Sequence, residues 1–110
     1  MKQFVVDALH PADAKRLREH MDAHYGPCAV DGLYWIPLPE DLLTQTQKAH
    51  EECGPFVFAL DLEPEKVSCE LLVRSLKRMR CQCMEYANDA QAIYIVRFLD
   101  HLLIKLGIIA

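Results

Sequence analysis

The sequence predicts an α+β domain of two layers, a mixed or antiparallel sheet of about five strands packed on three helices, in the order β-α-β-α-β-β-β-α. Three observations carry this. Two stretches of period-two alternation, residues 56–62 and 67–73, stand on either side of a short turn. Residues 11–25 and 89–107 place apolar side chains at helical spacing. A chain of 110 residues, 52% hydrophobic and 25% charged, suits one core over residues 1–110 and not two. A split βαβ arrangement is the alternative topology.

Taken in order, residues 2–9 read as a strand centred on Phe4, Val5 and Val6. His10-Pro11 opens the first helix, because proline's fixed φ and missing N–H suit the first helical position. Asp13 meets the positive end of the helix dipole, Ala14, Leu17, Met21 and Tyr25 form the buried stripe, and Gly26-Pro27 ends the helix. Residues 33–36 form a short aromatic strand that Pro37 and Pro39 stop or hold at a sheet edge. The next helix has two competing starts, Pro39 or the capping box of Thr44 and Gln47. Leu42, Thr46, Ala49 and Cys53 recur along it at helical spacing, and Gly54-Pro55 closes it.

In the hairpin, Phe56, Phe58, Leu60 and Leu62 share one apolar face, and Pro64 occupies the turn. Val67, Cys69, Leu71 and Val73 then alternate again, which sets Leu60 opposite Cys69 and Phe58 opposite Leu71. A further strand over 80–87 places Cys81 and Cys83 across from Val73 and Leu71. Leu72, Leu76, Met79 and Cys83 also fit a helix begun by Pro64, and period alone does not separate the two readings. Agreement of two alternations in one register favours strands. Asn88-Asp89 caps the last helix, whose core face holds Ala92, Ile95, Leu99, Leu102, Leu103 and Leu106.

Composition excludes several classes. The apolar runs are too short to span a membrane, and Asp7 arrives too early for the apolar region of a signal peptide, so a cytoplasmic protein is expected, without membrane contact. Five cysteines are then expected as reduced thiols. A formal charge of −4 argues against nucleic-acid binding, which relies on a cationic surface. Catalysis lacks support, since no G-x-S-x-G, H-E-x-x-H, G-x-G-x-x-G or P-loop pattern occurs.

Four constellations remain. His24 with Cys28, and His50 with Cys53, each set an imidazole three or four residues from a thiol, and together could hold zinc as a Cys2His2 set. The competing reading buries Cys53 in an apolar stripe and Cys28 under a loop. Cys81 and Cys83, two apart on a strand, could meet one soft ion or an oxidant, or serve as small core hydrophobes. Arg74, Lys77, Arg78 and Arg80 concentrate positive charge at the hairpin tip, with Arg74 and Arg80 as cross-strand neighbours that call for an anion between them. An anionic ligand or an acidic protein partner would fit, against a solvated tip that merely protects the sheet edge. Finally Ile93, Tyr94, Phe98 and Ile104 interrupt the polar arc of the last helix, which predicts a homodimer interface there.

The leading expectation is therefore a non-catalytic binding or regulatory module, homodimeric and without a cofactor. The alternative is a metal- or thiol-binding protein using His24, Cys28, His50 and Cys53, or Cys81 and Cys83, with zinc as the ion. A structural subunit of a larger assembly is the third reading.

Overall fold

The strand Phe56–Leu62 is buried along its length except at Asp61, so it belongs in the middle of a covered sheet. The computed structural model, which describes residues 1–26, 30–78 and 81–110, places it there. Strands β1 (Gln3–Val6), β2 (Leu33–Pro37), β3 (Phe56–Leu62) and β4 (Val67–Glu70) lie in the order β1-β4-β3-β2, and β5 (Arg74–Ser75) also pairs with β3. Every pairing is antiparallel, so of the mixed and antiparallel alternatives the second is the one observed.

The helices are α1 (Pro11–Tyr25), α2 (Gln45–Ala49) and α3 (Asp89–Lys105). One cluster joins Leu17 and Met21 of α1, Ile95 and Leu99 of α3, and the β3 face of Phe56, Phe58, Leu60 and Leu62. The long helices thus cover one side of the sheet in a two-layer α+β fold. Full burial of a side chain such as Phe58 contributes about 2–3 kcal/mol each. Alternation predicted a single buried face for β3, but Val57 and Ala59 on the other face are buried as well. Val57 lies between Pro37 and Arg74 on the neighbouring strands and Ala59 lies opposite the large Trp35, so both have cross-strand neighbours on that face. No helix among the described residues is long and apolar enough to cross a membrane.

Local signals account for the helix starts. His10 Nδ1 accepts the Ala12 N–H at 3.1 Å, and Pro11 opens α1. Both predicted starts of the second helix are used, each by a separate short element. Pro39 precedes a 3-10 turn, Glu40–Leu42, and the Thr44–Gln47 capping box begins α2. A second 3-10 turn, Glu51–Cys53, follows. Because the helix is broken into pieces, the expected stripe does not persist: Thr46 and Ala49 are exposed, and Gln47 is buried instead. Asn88 and Gln91 form a capping box on α3, and the two buried glutamines meet, Gln91 Nε2 donating to Gln47 Oε1 at 3.0 Å and to the Leu42 carbonyl at 2.8 Å.

The hairpin holds in part. Leu60 pairs with Cys69 as the alternation required, but Phe58 does not reach Leu71. After Glu70 the chain leaves β3: Leu71 donates to the Lys2 carbonyl, and the pairing resumes only at Val57 with Arg74. The outgoing strand takes two more residues than β3 between these points, a bulge that bends it. The predicted strand over 80–87 is absent among its described residues apart from a single bridge, Leu72 with Tyr86. Residues 85–87, not Cys81 and Cys83, lie against 71–73, with Val73 donating to the Glu85 carbonyl and Ala87 to that of Leu71. Nor is the rival helix present over its described residues. Ser75 supplies a physical reason. Its Oγ donates to the Cys53 carbonyl and accepts the N–H groups of Lys77 and Arg78 at 3.2 and 3.1 Å, giving the backbone partners outside any ladder.

Candidate metal centre

His50 closes α2 and leads into the turn Glu51–Cys53, where the Cys53 N–H donates to the His50 carbonyl at 2.9 Å. Side chains three apart in a 3-10 turn eclipse one another, so His50 and Cys53 project to the same side. Cys81 and Cys83 lie in a second tight turn, closed by the Met84 N–H on the Cys81 carbonyl at 3.1 Å. Ser75 ties β5 to the first turn through the Cys53 carbonyl, and Leu76 adds an N–H bond to the Pro55 carbonyl at 3.2 Å. The pairing of 71–73 with 85–87 returns the chain beside them.

The two turns bring four donor atoms together. Cys81 Sγ lies 3.2 Å from His50 Nδ1 and 3.5 Å from Cys53 Sγ, and Cys53 Sγ lies 4.0 Å from His50 Nδ1. With the Cys83 sulfur, all four fall within 4.8 Å of one another. A tetrahedral zinc ion with ordinary Zn–S and Zn–N lengths has ligand–ligand edges of about 3.5–3.8 Å. The observed spacings bracket that value, so small rotamer adjustments would close the set on an ion. Cys53 and Cys83 are buried while His50 and Cys81 are half-buried, which leaves one side open to entry. Coordination through Nδ1 requires the imidazole proton on Nε2.

The thiols are electrostatically unequal. Cys81 is held down to about 7 by the Cys83 thiol and the Cys83 N–H, with help from Cys53 and His50. Burial pushes Cys83 up to about 12, and its donation to Cys81 and Cys53 acts in the same direction. Burial also raises Cys53. In the metal-free centre Cys81 is the thiol most readily ionised, and Cys53 and Cys83 are its hydrogen-bond donors. A bound cation would displace those protons and keep the sulfurs as thiolates.

The residues singled out from sequence are distributed as follows. His50 and Cys53 come together with Cys81 and Cys83. His24 is not in this group; it lies in the last turn of α1 with its ring 4.3 Å from that of His20. Cys28 falls outside the described residues, as does Arg80. Arg74 sits on β5 opposite Val57, and its guanidinium is matched by Glu70 at 2.8 and 2.9 Å. Lys77 and Arg78 are exposed. On α3, Ile93 and Ile104 are exposed, while Tyr94 and Phe98 are half-buried, Phe98 meeting Tyr25 edge-on. The combination of His-x-x-Cys with Cys-x-Cys escaped sequence reasoning, although each half was visible as a pair able to hold one ion. Comparison with known proteins finds no matching family model, no similar curated protein and no similar solved structure.

Proposed function

We propose that this protein is a metal-binding module in which His50, Cys53, Cys81 and Cys83 hold one zinc ion. The observation that carries the reading is the convergence of one imidazole and three thiols within 4.8 Å. Three sulfurs and one nitrogen form a soft, tetrahedral set of the kind zinc prefers over magnesium or calcium. Four protein ligands leave no position for water or substrate, so the role is structural and not catalytic. The ion would pin together two turns whose closest ligands are 28 positions apart in the chain. A reducing compartment, such as the cytoplasm, would keep the thiols available. In this reading the protein remains a non-catalytic module, with the turns that carry His50 and Cys53, and Cys81 and Cys83, held together by the ion.

Native mass spectrometry of untagged protein purified without chelator tests this. One zinc per chain is expected, lost in Cys81→Ser and Cys83→Ser and retained in Cys69→Ala and His24→Ala. Cobalt substitution should give the visible absorption of a tetrahedral thiolate-rich site. Failure of the folded, reduced protein to take up either ion would remove the proposal, and loss of zinc in His24→Ala would return His24 to the ligand set.

A further inference from the structure

The side of α3 turned toward His20 and Tyr25 of α1 carries a groove of about 550 Å³. On α3 its lining runs from Ala90 to Lys105, about 22 Å of helix at the usual rise. Two rows lie along it. Tyr94, Phe98 and Leu102 recur at one-turn spacing as an apolar row, and Arg97, His101 and Lys105 recur at the same spacing beside them as a basic row. His20 faces the same space from α1.

The charge pattern departs from the rest of the chain. The protein has 16 acidic residues against 12 Lys and Arg, yet no described residue lining this groove is acidic. Arg97 and Lys105 form no ion pair among the described residues, so both charges remain available to a ligand. Burial, with smaller contributions from His24 and Lys105, pushes the His20 imidazole below its ordinary range.

A second copy of the chain is a poor occupant. Two-fold packing of α3 on itself would set the Arg97 and Lys105 rows against each other, and like charges opposed across an interface are costly. The length of the groove, with Arg97 and Lys105 two helical turns apart and the His101 side chain between them, suits an elongated ligand whose polar groups recur along one face of a helix. We infer that this groove docks an acidic amphipathic helix of a partner protein, its carboxylates meeting Arg97, His101 and Lys105 and its apolar row resting on Tyr94 and Phe98. The inference is independent of the metal centre.

The test is fluorescence anisotropy on the full chain with a labelled model peptide of about 18 residues, built from Leu, Ala and Glu as an amphipathic helix. A second peptide carries Lys at each Glu. Saturable binding of the acidic peptide alone is expected, weakening with added salt. It should fall at least tenfold in Arg97→Glu/Lys105→Glu and be unchanged in Lys48→Glu, which makes the same kind of charge change on exposed α2; circular dichroism verifies that each variant is folded. Equal binding of the two peptides, no saturable binding of the acidic one, or wild-type affinity in the double variant would each overturn the inference. A dimer that protects the α3 amides from exchange would overturn it in favour of a second copy.

Discussion

Cys69 and Cys83 are both fully buried, but their neighbourhoods differ in kind. Cys69 stands on a regular strand, opposite Leu60 on one side and Phe4 on the other, and burial alone drives its thiol up to about 12. It acts as a small hydrophobe in a sheet. Cys83 reaches the same value by burial together with hydrogen bonds to Cys81 and Cys53, because it sits where two turns converge. What separates a packing thiol from a ligand is thus the company it keeps and not its depth. Regular structure isolates side chains on alternating faces, whereas tight turns gather them.

The sharpest way to break this comparison is to remove each thiol in turn. Cys83→Ala should abolish zinc binding and with it the stabilisation that binding supplies, about 4 kcal/mol when free zinc is a thousandfold above its dissociation constant. Urea denaturation with and without zinc would register this as a zinc-dependent midpoint in the wild type and a zinc-independent one in the variant. Cys69→Ala should cost only about 1 kcal/mol, from a small cavity, with the zinc response intact. If both variants lost the same stability and neither responded to zinc, the two thiols would be equivalent and the distinction lost.

A smaller effect sharpens the contrast within the metal-free protein. Alkylation by iodoacetamide should rise with pH through a midpoint of about 7 at Cys81, against 9.0 for an ordinary thiol, while folded Cys69 stays unmodified. Mass mapping of the modified peptides would decide it, and a Cys81 midpoint near 9 would remove the assigned donor pattern. The linkage to stability follows in sign. A depressed Cys81 contributes stability above the unfolded value of 9.0 that is lost as pH falls through about 7. A raised Cys83 contributes stability below 9.0 that is lost as pH climbs toward about 12. The combined contribution of Cys81 and Cys83 in the metal-free protein therefore peaks near pH 9, and the raised Cys53 and Cys69 draw the maximum for all four thiols lower.

The central hairpin was legible from sequence because two alternations agree in register across a tight turn at Pro64, which sets Leu60 opposite Cys69. The capping boxes at Thr44 and Asn88 were legible for a different reason, since a side chain three residues away satisfies the helix start locally. The metal centre was seen only in halves. His50 and Cys53 were read on an α-helix and Cys81 and Cys83 on a strand, but both pairs lie in tight turns. Their approach depends on the two-residue bulge before Arg74 and on the Ser75 hydroxyl, and neither leaves a periodic trace. On α3, Tyr94 and Phe98 stood out as apolar intruders. That Arg97, His101 and Lys105 border the same groove became visible only once α1 was in place.

The bond between Gln47 and Gln91 carries a consequence in time as well as in space. A helix of five residues is far below the length at which helices persist in water, because nucleation costs more than so few bonds return. Part of the anchorage of α2 comes from the start of α3, through the bond between Gln47 of the α2 capping box and Gln91 of the α3 capping box. Protection of α2, and with it the placing of His50 and Cys53, is therefore expected to depend on the first turn of α3. Amide exchange should show no opening of the α3 first turn that leaves α2 protected; protection of α2 surviving in Gln91→Ala would mean that the short helix stands without it.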